Sequence, residues 1–429
     1  MSLQNKQNIL VFPCGSEIGL ELHRALSTST YVTLFGASSV SDHGQFVYER
    51  YTEGLPFVDD QGFIDAINRV VDNNGIDYLY PAHDSVVLKL AESVDRLHCG
   101  LLGSPLDTCR ICRSKRVTYA TFSTLLRVPF VYNQPDLIDR WPVFIKPDVG
   151  QGSKGTLLAR DRGELEFYIS RDSSLLCTEY LPGAEYTIDC FTDRHGELRF
   201  SEARERTRIQ NGISVRTHPV QFPDLKEMAQ TINMTLKLRG AWFFQAKVTS
   251  TGEFALLEIA PRIAGAMALY RNGGVNFALL TLFDALGFDI EILFNGTYLE
   301  MDSALGSRFK DAMDYRHIYM DLDDCLIIDD KVHVPAVALL YQAFGMGVKL
   351  HLLTRHAGGL IETLNRFRLN GIFDEIIHLK NGENKSEYIK HLDAIFIDDS
   401  FAERRSVSKK LAIPVFDLDS LESLLVCKS

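Results

Sequence analysis

Four short motifs in the last quarter of the chain constrain the fold more than any other feature, because three of them accompany an apolar run typical of a buried strand. In chain order they are Asp321 and Asp323, then Thr354, then Lys385, and finally the pair Asp398 and Asp399. Alternate residues of a strand point to the same face, so the first two carboxylates are expected on one side. The motifs therefore predict one site built from several strand ends.

Carboxylates, a hydroxyl and a lysine in this order supply the groups that phosphoryl transfer needs. One carboxylate attacks phosphorus, a second exchanges a proton with the leaving oxygen, and cations neutralise the phosphoryl oxygens. The ordered set resembles the haloacid dehalogenase (HAD) phosphatase superfamily over roughly the last quarter of the chain. The resemblance implies a nucleophile at Asp321, an acid/base at Asp323, phosphate ligands at Thr354 and Lys385, and Mg²⁺ ligands at Asp321, Asp323 and Asp398 or Asp399.

The sequence also leaves non-catalytic interpretations of this region open. The three aspartates at 321, 323 and 324 also suit a solvated acidic turn, but an EF-hand loop would need a bidentate glutamate where Val332 stands. A non-catalytic, vestigial HAD domain is a further alternative. The short intervals between Asp323, Thr354 and Lys385 leave little room for a cap domain, so a capless phosphatase is expected.

Length and composition limit the remaining possibilities. A chain of 429 residues is too long for one ordinary core, so several domains are expected. The net charge of −11 argues against nucleic acid as the main partner, and no apolar run is long enough for a membrane span. The eight cysteines form no framework, and the lone pair Cys109 and Cys112 does not indicate zinc. Reduced thiols and a polar start without a signal peptide predict a cytoplasmic protein.

The first hundred residues predict a parallel sheet. The apolar run at 8–12, a glycine-containing turn and helical spacing to Leu26 are typical of a βαβ opening, and runs at 32–35 and 78–81 repeat the strand pattern. We predict a Rossmann-like domain at residues 1–112. A nicotinamide cofactor is not expected, because Gly15 and Gly19 lack the full dinucleotide fingerprint.

A glycine-rich loop at 148–155 lies between two predicted strands, the first of which ends at Lys146. Free backbone N–H groups in such a loop can lie over phosphates, although a flexible hairpin is an equal alternative. The loop is not a Walker loop, because no Gly-Lys-Ser/Thr opens a helix. Its neighbours are Lys115 upstream, the stretch 176–189, and a pair of strands at 241–247 and 254–262.

This series resembles the ATP-grasp superfamily, in the branch of carbamoyl-phosphate synthase and other carboxylate–amine ligases, over about residues 1–300. The resemblance implies that Lys115 and Lys146 contact ATP phosphates and that the loop with Gly152 and Ser153 is a lid. It also implies an adenine pocket at Glu179, Tyr180 and Leu181, a ribose contact at Glu185, Mg²⁺ at Gln245 and Glu258, and a γ-phosphoryl or acyl-phosphate contact at Arg262. We place this domain at 113–305, a polar linker at 300–314, and the HAD-like domain at 315–429.

Two local features leave the activity less defined. The family commonly has Asn where Ala260 stands, so one metal ligand is missing and two-metal binding is in doubt. Four arginines at 204, 206, 208 and 216 form either a solvated hairpin or a socket for an anionic substrate. In the second case Arg206 and Ser214 are the predicted contacts.

The expected fold class is thus α/β and α+β, with a Rossmann-like domain, an ATP-grasp fold and a capless HAD-like domain. The expected function is an ATP-dependent carboxylate–amine ligase fused to a phosphatase, with ATP and Mg²⁺ (or Mn²⁺) as cofactors. Small carboxylates, amines and a phosphorylated metabolite are the expected partners, with neither nucleic acid nor membrane. In the alternative, the ATP-grasp part only binds or senses nucleotide. The sequence does not indicate the oligomeric state.

Overall fold

The structure is a computed structural model that describes residues 6–150, 152, 154–210, 212–296, 299–304, 306, 309, 313–380 and 382–425. The chain divides into two compact units, residues 1–305 and residues 306–428. None of the helices in the described ranges is both long enough and apolar enough to cross a bilayer.

The first unit opens with a parallel sheet of five strands. Its strands are β1 (Gln7–Phe12), β2 (Val32–Ala37), β3 (Tyr51–Thr52), β4 (Tyr78–Pro81) and β5 (Gly100–Leu101). Four helices accompany it: α1 (Glu17–Leu26), α2 (Phe63–Asn74), α3 (Asp84–Glu92) and α4 (Leu106–Arg113). The strand order is β3-β2-β1-β4-β5, so the connection direction reverses between β1 and β4. A crevice forms outside the carboxyl ends of strands at such a reversal.

Local chemistry explains how the helices of this sheet begin and end. The Ser16 hydroxyl accepts a hydrogen bond from the backbone N–H of Gly19 at 3.0 Å, which caps α1 directly after β1. Helix α2 ends at Gly75, whose φ of 59° is the left-handed conformation that glycine adopts without strain. The parallel sheet and its helices agree with the Rossmann-like arrangement that the sequence predicts here.

A three-stranded antiparallel sheet follows. Its elements are α5 (Lys115–Phe122), β6 (Val143–Pro147), β7 (Leu157–Ala159), α6 (Arg162–Arg171) and β8 (Leu175–Glu179). Strand β6 is central, in the order β7-β6-β8. The glycine-rich loop therefore connects two hydrogen-bonded antiparallel strands, as the sequence predicts.

A six-stranded antiparallel sheet completes the first unit, in the order β13-β12-β9-β10-β11-β14. Its strands are β9 (Glu185–Thr192), β10 (Leu198–Gln210), β11 (Ile213–Val220), β12 (Gly240–Val248), β13 (Phe254–Ala260) and β14 (Met301–Asp302). The helices are α7 (Pro223–Thr235), α8 (Ala268–Asn272) and α9 (Phe277–Ala285). Trp242 and Phe244 pack with Ile232 of α7, whereas Phe243 joins Phe277 and the first sheet's Val11.

Because one core joins the parallel and the six-stranded sheets, residues 1–305 form a single compact unit, and a boundary at residue 112 stays a prediction. The predicted linker at 300–314 is wrong at its start. Met301 and Asp302 pair with Thr217 and Arg216 as an edge strand, because β11 offers unpaired backbone groups that the local sequence does not reveal.

The second unit contains a parallel five-stranded sheet and a short hairpin. The strands are β15 (His317–Met320), β16 (Ile327–Ile328), β17 (Lys331–Val332), β18 (Lys349–Thr354), β19 (Glu375–His378), β20 (Ala394–Ile397) and β21 (Val415–Phe416). The helices are α10 (Val334–Gly345), α11 (Leu360–Arg366), α12 (Phe401–Leu411) and α13 (Leu421–Leu424). The sheet order is β19-β18-β15-β20-β21, and β16 pairs with β17.

Buried clusters cover both faces of this parallel sheet, which explains why its strands are continuous apolar runs. The four residues of β20 are all buried. Strands β15, β18 and β20 are neighbours and run in the same direction. Their carboxyl ends therefore meet at one edge, and this edge carries the four motifs that the sequence singled out.

Candidate functional site

A cavity with an empty volume of about 850 Å³ lies in the first unit, lined by α5 and by strands of both antiparallel sheets. It brings together nine residues that the ATP-grasp resemblance places around ATP and its metal: Lys115, Lys146, Gly152, Glu179, Tyr180, Leu181, Glu185, Gln245 and Glu258. Ser153 lies outside the described residues. Sequence reasoning missed Lys154 and Lys247, which also line this cavity.

Lys146 is a buried cation of the cavity wall. Its side chain comes from the end of β6, the residue is 5% exposed, and Nζ donates a hydrogen bond to the Tyr119 hydroxyl at 2.6 Å. Within the described ranges, no carboxylate forms an ion pair with it. Burial, followed by the neighbouring Lys115 cation, lowers the pKa of Lys146 to about 8. A buried ammonium is unfavourable without an anion, so this position fits a phosphate group.

The root of the glycine-rich loop is fastened to the start of α5. The Asp148 carboxylate accepts hydrogen bonds from the Ser114 hydroxyl at 2.9 and 3.0 Å and from the backbone N–H of Arg116 at 2.7 Å. Lys115 Nζ donates to the backbone carbonyl of Gly150 at 3.4 Å. These contacts hold Lys115 beside the loop, which is where a phosphate-binding lysine is needed.

Glu179 and Glu185 are both engaged with cations in this structure. The Glu179 carboxylate accepts from the backbone N–H of Phe130 at 2.7 Å and pairs with Arg127, so its carboxylate is held at the strand end. The Glu185 carboxylate pairs with Arg206 and lies 3.8 Å from Lys247 Nζ. A ribose contact at Glu185 therefore requires one of its oxygens to be shared with these cations.

Gln245 and Glu258 are direct cross-strand partners on β12 and β13. In the part of the chain that the structure describes, the Glu258 carboxylate has neither an ion pair nor a hydrogen bond. Ala260 lies two residues further along the same strand, and both residues also line a second, adjoining cavity. The amide and carboxylate oxygens suit Mg²⁺, but Ala260 offers no ligand atom.

The second cavity, with an empty volume of about 1520 Å³, extends to the crevice between β1 and β4. Ser16, Glu17, His83 and Asp84 line it from the parallel sheet. Arg204, Arg206, Ser214 and Arg262 line it from the six-stranded sheet and its continuation. It shares Lys115, Gly152, Lys154, Arg206, Gln245 and Glu258 with the first cavity, so the two cavities adjoin.

The guanidinium group of Arg262 faces a carboxylate that the sequence did not indicate. Its Nε and Nη2 atoms donate to the two oxygens of Asp84 at 2.6 and 2.7 Å, and Nη1 donates to the Ile263 carbonyl at 2.9 Å. The guanidinium group of Arg262 is therefore already hydrogen-bonded to Asp84 and Ile263. The predicted acyl-phosphate contact at Arg262 would have to share these N–H groups. No signal in the sequence links residues 84 and 262.

The four arginines at 204, 206, 208 and 216 fall into two groups, one typical of a solvated hairpin and one consistent with a socket for an anion. Arg208 and Arg216 are exposed and pair with Asp302 and Glu300, as in a solvated hairpin. Arg204 and Arg206 are 2% and 8% exposed and line the second cavity. A register shift in the β10–β11 pairing between Arg206 and Arg208 coincides with this change.

Two donor atoms of the buried arginines have no partner within the described ranges. Arg204 pairs with Asp189 through Nε at 2.7 Å and Nη2 at 3.3 Å, which leaves Nη1 buried and unbonded. Arg206 pairs with Glu185 and donates to the Gly212 carbonyl, which leaves Nε unbonded. Buried polar atoms normally have partners, so these two donors indicate a place for an anionic group.

The second unit brings its predicted residues together at the carboxyl edge of the sheet. Lys385 Nζ lies 2.8 Å from Asp321 Oδ2 and 2.6 Å from Asp398 Oδ2. Thr354 is fully buried at the end of β18. The ammonium group thus bridges two carboxylates that are 77 positions apart in the chain.

Oxygen atoms of Asp321, Asp398 and Asp399 lie within 4.8 Å of one another. Asp321 Oδ1 is buried without a hydrogen-bond partner in the described ranges, and burial raises the pKa of Asp398 to about 6. An orphan oxygen in a cluster of carboxylates fits a divalent cation. Asp323 is outside this cluster. Its carboxylate instead lies 2.9 Å from His356 Nδ1, a partner that the sequence did not indicate.

The chain is similar to known proteins in part of its sequence and in the fold of its first unit. A family model described as ATP-grasp in the biosynthetic pathway with Ter operon matches residues 171–294. No curated protein sequence matches the chain significantly. Among solved structures, Rhizobium etli pyruvate carboxylase gives a TM-score of 0.55 at 16% identity, covering 67% of this chain and 29% of that one. This chain therefore spans less than a third of that carboxylase.

Two enzymes of more similar length show the same likeness. The L-amino acid ligase from Bacillus licheniformis has a TM-score of 0.53 at 17% identity, covering 66% of this chain and 75% of the ligase. N5-carboxyaminoimidazole synthetase from Staphylococcus aureus, complexed with ADP, has a TM-score of 0.55 at 15% identity, covering 68% and 81%. The fold of the first unit is thus of the ATP-grasp type, and the family match supports the ATP-grasp superfamily.

Proposed function

We propose that the first unit is an ATP-dependent carboxylate–amine ligase that acts through an acyl phosphate. The observation that carries this proposal is Lys146, a buried ammonium for which the described residues supply no counterion, in a cavity that adjoins a second cavity lined by two buried arginines. Enzymes similar in fold include one named as an L-amino acid ligase and one complexed with ADP. The ligase is the first of two proposed activities.

The chain's own residues suit the two steps of such a reaction. Lys115 and Lys146 hold the phosphates of ATP while a substrate carboxylate oxygen attacks the γ-phosphorus and ADP leaves. Mg²⁺, held by Glu258 and Gln245, would neutralise the charge that develops on the phosphoryl oxygens. An amine then attacks the acyl carbon and phosphate leaves, giving an amide.

The acid to be activated fits the second cavity. The unbonded Arg204 Nη1 and Arg206 Nε atoms offer N–H groups to an anionic oxygen, and Ser214 lies on the neighbouring strand. The second cavity adjoins the phosphate cavity and shares lining residues with it, which supports an acid held there being within reach of the nucleotide. A small carboxylate with a further anionic or polar group is the expected substrate class.

The first test is ADP release with Mg-ATP across pooled amino acids and small carboxylates. Wild type is compared with Lys146→Ala and with a matched control, Lys226→Ala, which removes an exposed lysine of the same unit. Amine-dependent ADP release that is lost only in Lys146→Ala supports the ligase. Equal ADP release by Lys146→Ala and wild type contradicts it.

The second proposed activity is a Mg²⁺-dependent phosphatase of the HAD type in residues 315–429. Asp321 attacks phosphorus and the ester oxygen leaves with a proton from Asp323, which His356 holds. Water then attacks the phosphorus, the Asp321 carboxylate leaves, and Asp323 accepts the proton of the water. Lys385, whose Nζ is 2.8 Å from Asp321, and Thr354 at the end of β18 are the proposed ligands of the phosphoryl oxygens. Mg²⁺ at Asp321, Asp398 and Asp399 would reduce the repulsion between carboxylate and phosphate.

Two observations support this second activity and its lack of a cap. The buried Asp321 Oδ1 atom has no partner in the described part of the unit, which suits a cation ligand. Between Asp323 and Thr354 the chain forms only a short hairpin and α10. An open site of this kind suits a large substrate.

Asp321→Asn tests the phosphatase directly. Hydrolysis of an aryl phosphate in the presence of Mg²⁺ should fall by a factor of about 10³ or more, because the amide is not a nucleophile. Asp419→Asn, at an exposed position of the same unit, is the matched control and should keep full activity. Equal activity in all three proteins would mean that the site is vestigial.

Both sites are proposed to serve one pathway, in which a phosphorylated metabolite is ligated and dephosphorylated in either order. Substrates that pass the ligase assay should then be tested with and without a phosphate ester. A ligase and a phosphatase with unrelated substrate preferences would contradict the shared pathway.

A competing function is favoured by one observation, Ala260, which removes a metal ligand beside Glu258. In that case the first unit binds or senses nucleotide and only the phosphatase turns over. Isothermal titration with ATP distinguishes the two, because a sensor binds ATP without releasing ADP under any substrate pool.

A further inference from the structure

Three histidines of the second unit lie together away from the carboxylate cluster. They are His317 at the start of β15, His351 on β18, and His391 shortly before β20. One ring nitrogen from each lies within 4.8 Å of the other two. His317 and Asp321 are at opposite ends of β15 and its continuation, about 13 Å apart along an extended chain. Neither proposed activity uses these histidines.

The hydrogen bonds of His351 fix which of its nitrogens faces the cluster. Its Nδ1 atom lies 2.9 Å from Glu375 Oε2, and the carboxylate can only accept, so Nδ1 carries the proton. In the neutral ring Nε2 then holds the lone pair. This Nε2 atom lies 2.9 Å from His317 Nδ1, whose N–H donates to it, so the lone pair points into the cluster and a bound metal ion would take the place of the His317 proton. The Tyr319 ring stacks on His351 at 4.3 Å and limits its rotation.

A carboxylate that orients a histidine in this way is the usual outer partner of a metal-binding imidazole. Lys390 Nζ, at 3.2 Å from Glu375 Oε1, in turn holds the carboxylate. His351 is 5% exposed, whereas His317 and His391 are partly exposed and connect the cluster to solvent. The cluster therefore combines a fixed inner ligand with two accessible outer ones.

We infer that His317, His351 and His391 form a binding site for a transition-metal ion of the zinc class. Three imidazole nitrogens suit Zn²⁺, Co²⁺, Ni²⁺ or Cu²⁺ and not Mg²⁺, which prefers oxygen ligands. The His317 and His391 rings are stacked in parallel with centroids 3.6 Å apart, so their in-plane lone pairs run side by side. Binding thus requires His391, which lies outside helices and strands, to turn out of this stack.

An ion at this site links the amino ends of β15 and β18 to the segment that precedes β20. It is a structural or regulatory site, separate from the carboxyl-edge carboxylates. Binding to the folded state alone raises the thermal midpoint of the second unit with metal concentration.

The test is titration of the metal-free full-length chain with Zn²⁺ and with Co²⁺, in excess Mg²⁺ so that the carboxylate cluster is already occupied. We expect one equivalent of Zn²⁺ by calorimetry and visible Co²⁺ ligand-field bands. Both should be lost in His351→Ala and in His391→Gln, the second of which changes a partly exposed side chain and spares the fold. Glu375→Gln should keep the stoichiometry and weaken Zn²⁺ binding by about 10–100-fold.

His98→Ala, which removes an exposed histidine of the first unit, is the matched control and should bind as wild type does. Absence of a zinc equivalent in wild type would overturn the inference. It would also be overturned if His351→Ala and His391→Gln bound Zn²⁺ with wild-type stoichiometry and affinity.

Discussion

Replacing Lys146 by methionine should stabilise the first unit while it weakens ATP binding. Methionine has a similar length but no charge, so it removes the cost of burying an ammonium group. Burial, with Lys115 nearby, lowers the pKa of Lys146 from its usual 10.5 to about 8. That difference corresponds to about 3 kcal/mol of destabilisation when the lysine is protonated in both the folded and the unfolded states.

The substitution also removes the hydrogen bond from Nζ to the Tyr119 hydroxyl, worth about 1 kcal/mol. The net expectation at pH 7 is therefore a gain of about 2 kcal/mol in the free energy of unfolding. The sign with pH follows from the lowered folded-state pKa. Destabilisation by Lys146 is complete below about pH 8, where both states are protonated, and fades as the pH rises towards 10.5.

Urea unfolding followed by tryptophan fluorescence measures this effect. The chain has two tryptophans, Trp141 and Trp242, and both are in the first unit, so the signal reports that unit. Lys146→Met and wild type are compared at pH 7 and pH 10, with Lys226→Met as the exposed control. A variant less stable than wild type at pH 7, or a stability difference that does not shrink at pH 10, would refute the reasoning.

Three further outcomes are expected. Lys385→Met should destabilise the second unit by about 3 kcal/mol in calorimetric unfolding, because two buried carboxylates lose their shared cation. Adding Asp398→Asn should recover part of this stability but none of the phosphatase activity. Ala260→Asn should lower the Mg²⁺ concentration for half-maximal ADP release, and an unchanged Mg²⁺ dependence would exclude position 260 from the metal site. Arg206→Lys, which keeps the charge but loses the Nε–H group that has no partner among the described residues, should raise the KM for the acid about tenfold or more, and an unchanged KM would exclude Arg206 from the acid site.

Several elements could be predicted from the sequence because their signals are local. The strand ending at Lys146 and the loop after it were predicted from an apolar run followed by glycines, and the structure confirms both elements. Helical spacing at 275–286 predicts a helix there, and α9 begins two residues after and ends one residue before these bounds. The edge strand at Met301 was missed, since a two-residue strand has no periodicity of its own.

The residue types and their order by themselves determined which groups are available for chemistry: lysines after strands, a glycine-rich loop, and aspartates at 321, 323, 398 and 399. Only the tertiary structure decided the partners of those groups. Asp84 meets Arg262, His356 meets Asp323, and Glu375 orients His351. Each pair joins separate elements, so its distance depends on how strands and helices pack and leaves no trace in local sequence. Among the described residues, Arg204 Nη1, Arg206 Nε and Asp321 Oδ1 are left without a hydrogen-bond partner once such pairs have formed, and these atoms are the ones available to a ligand.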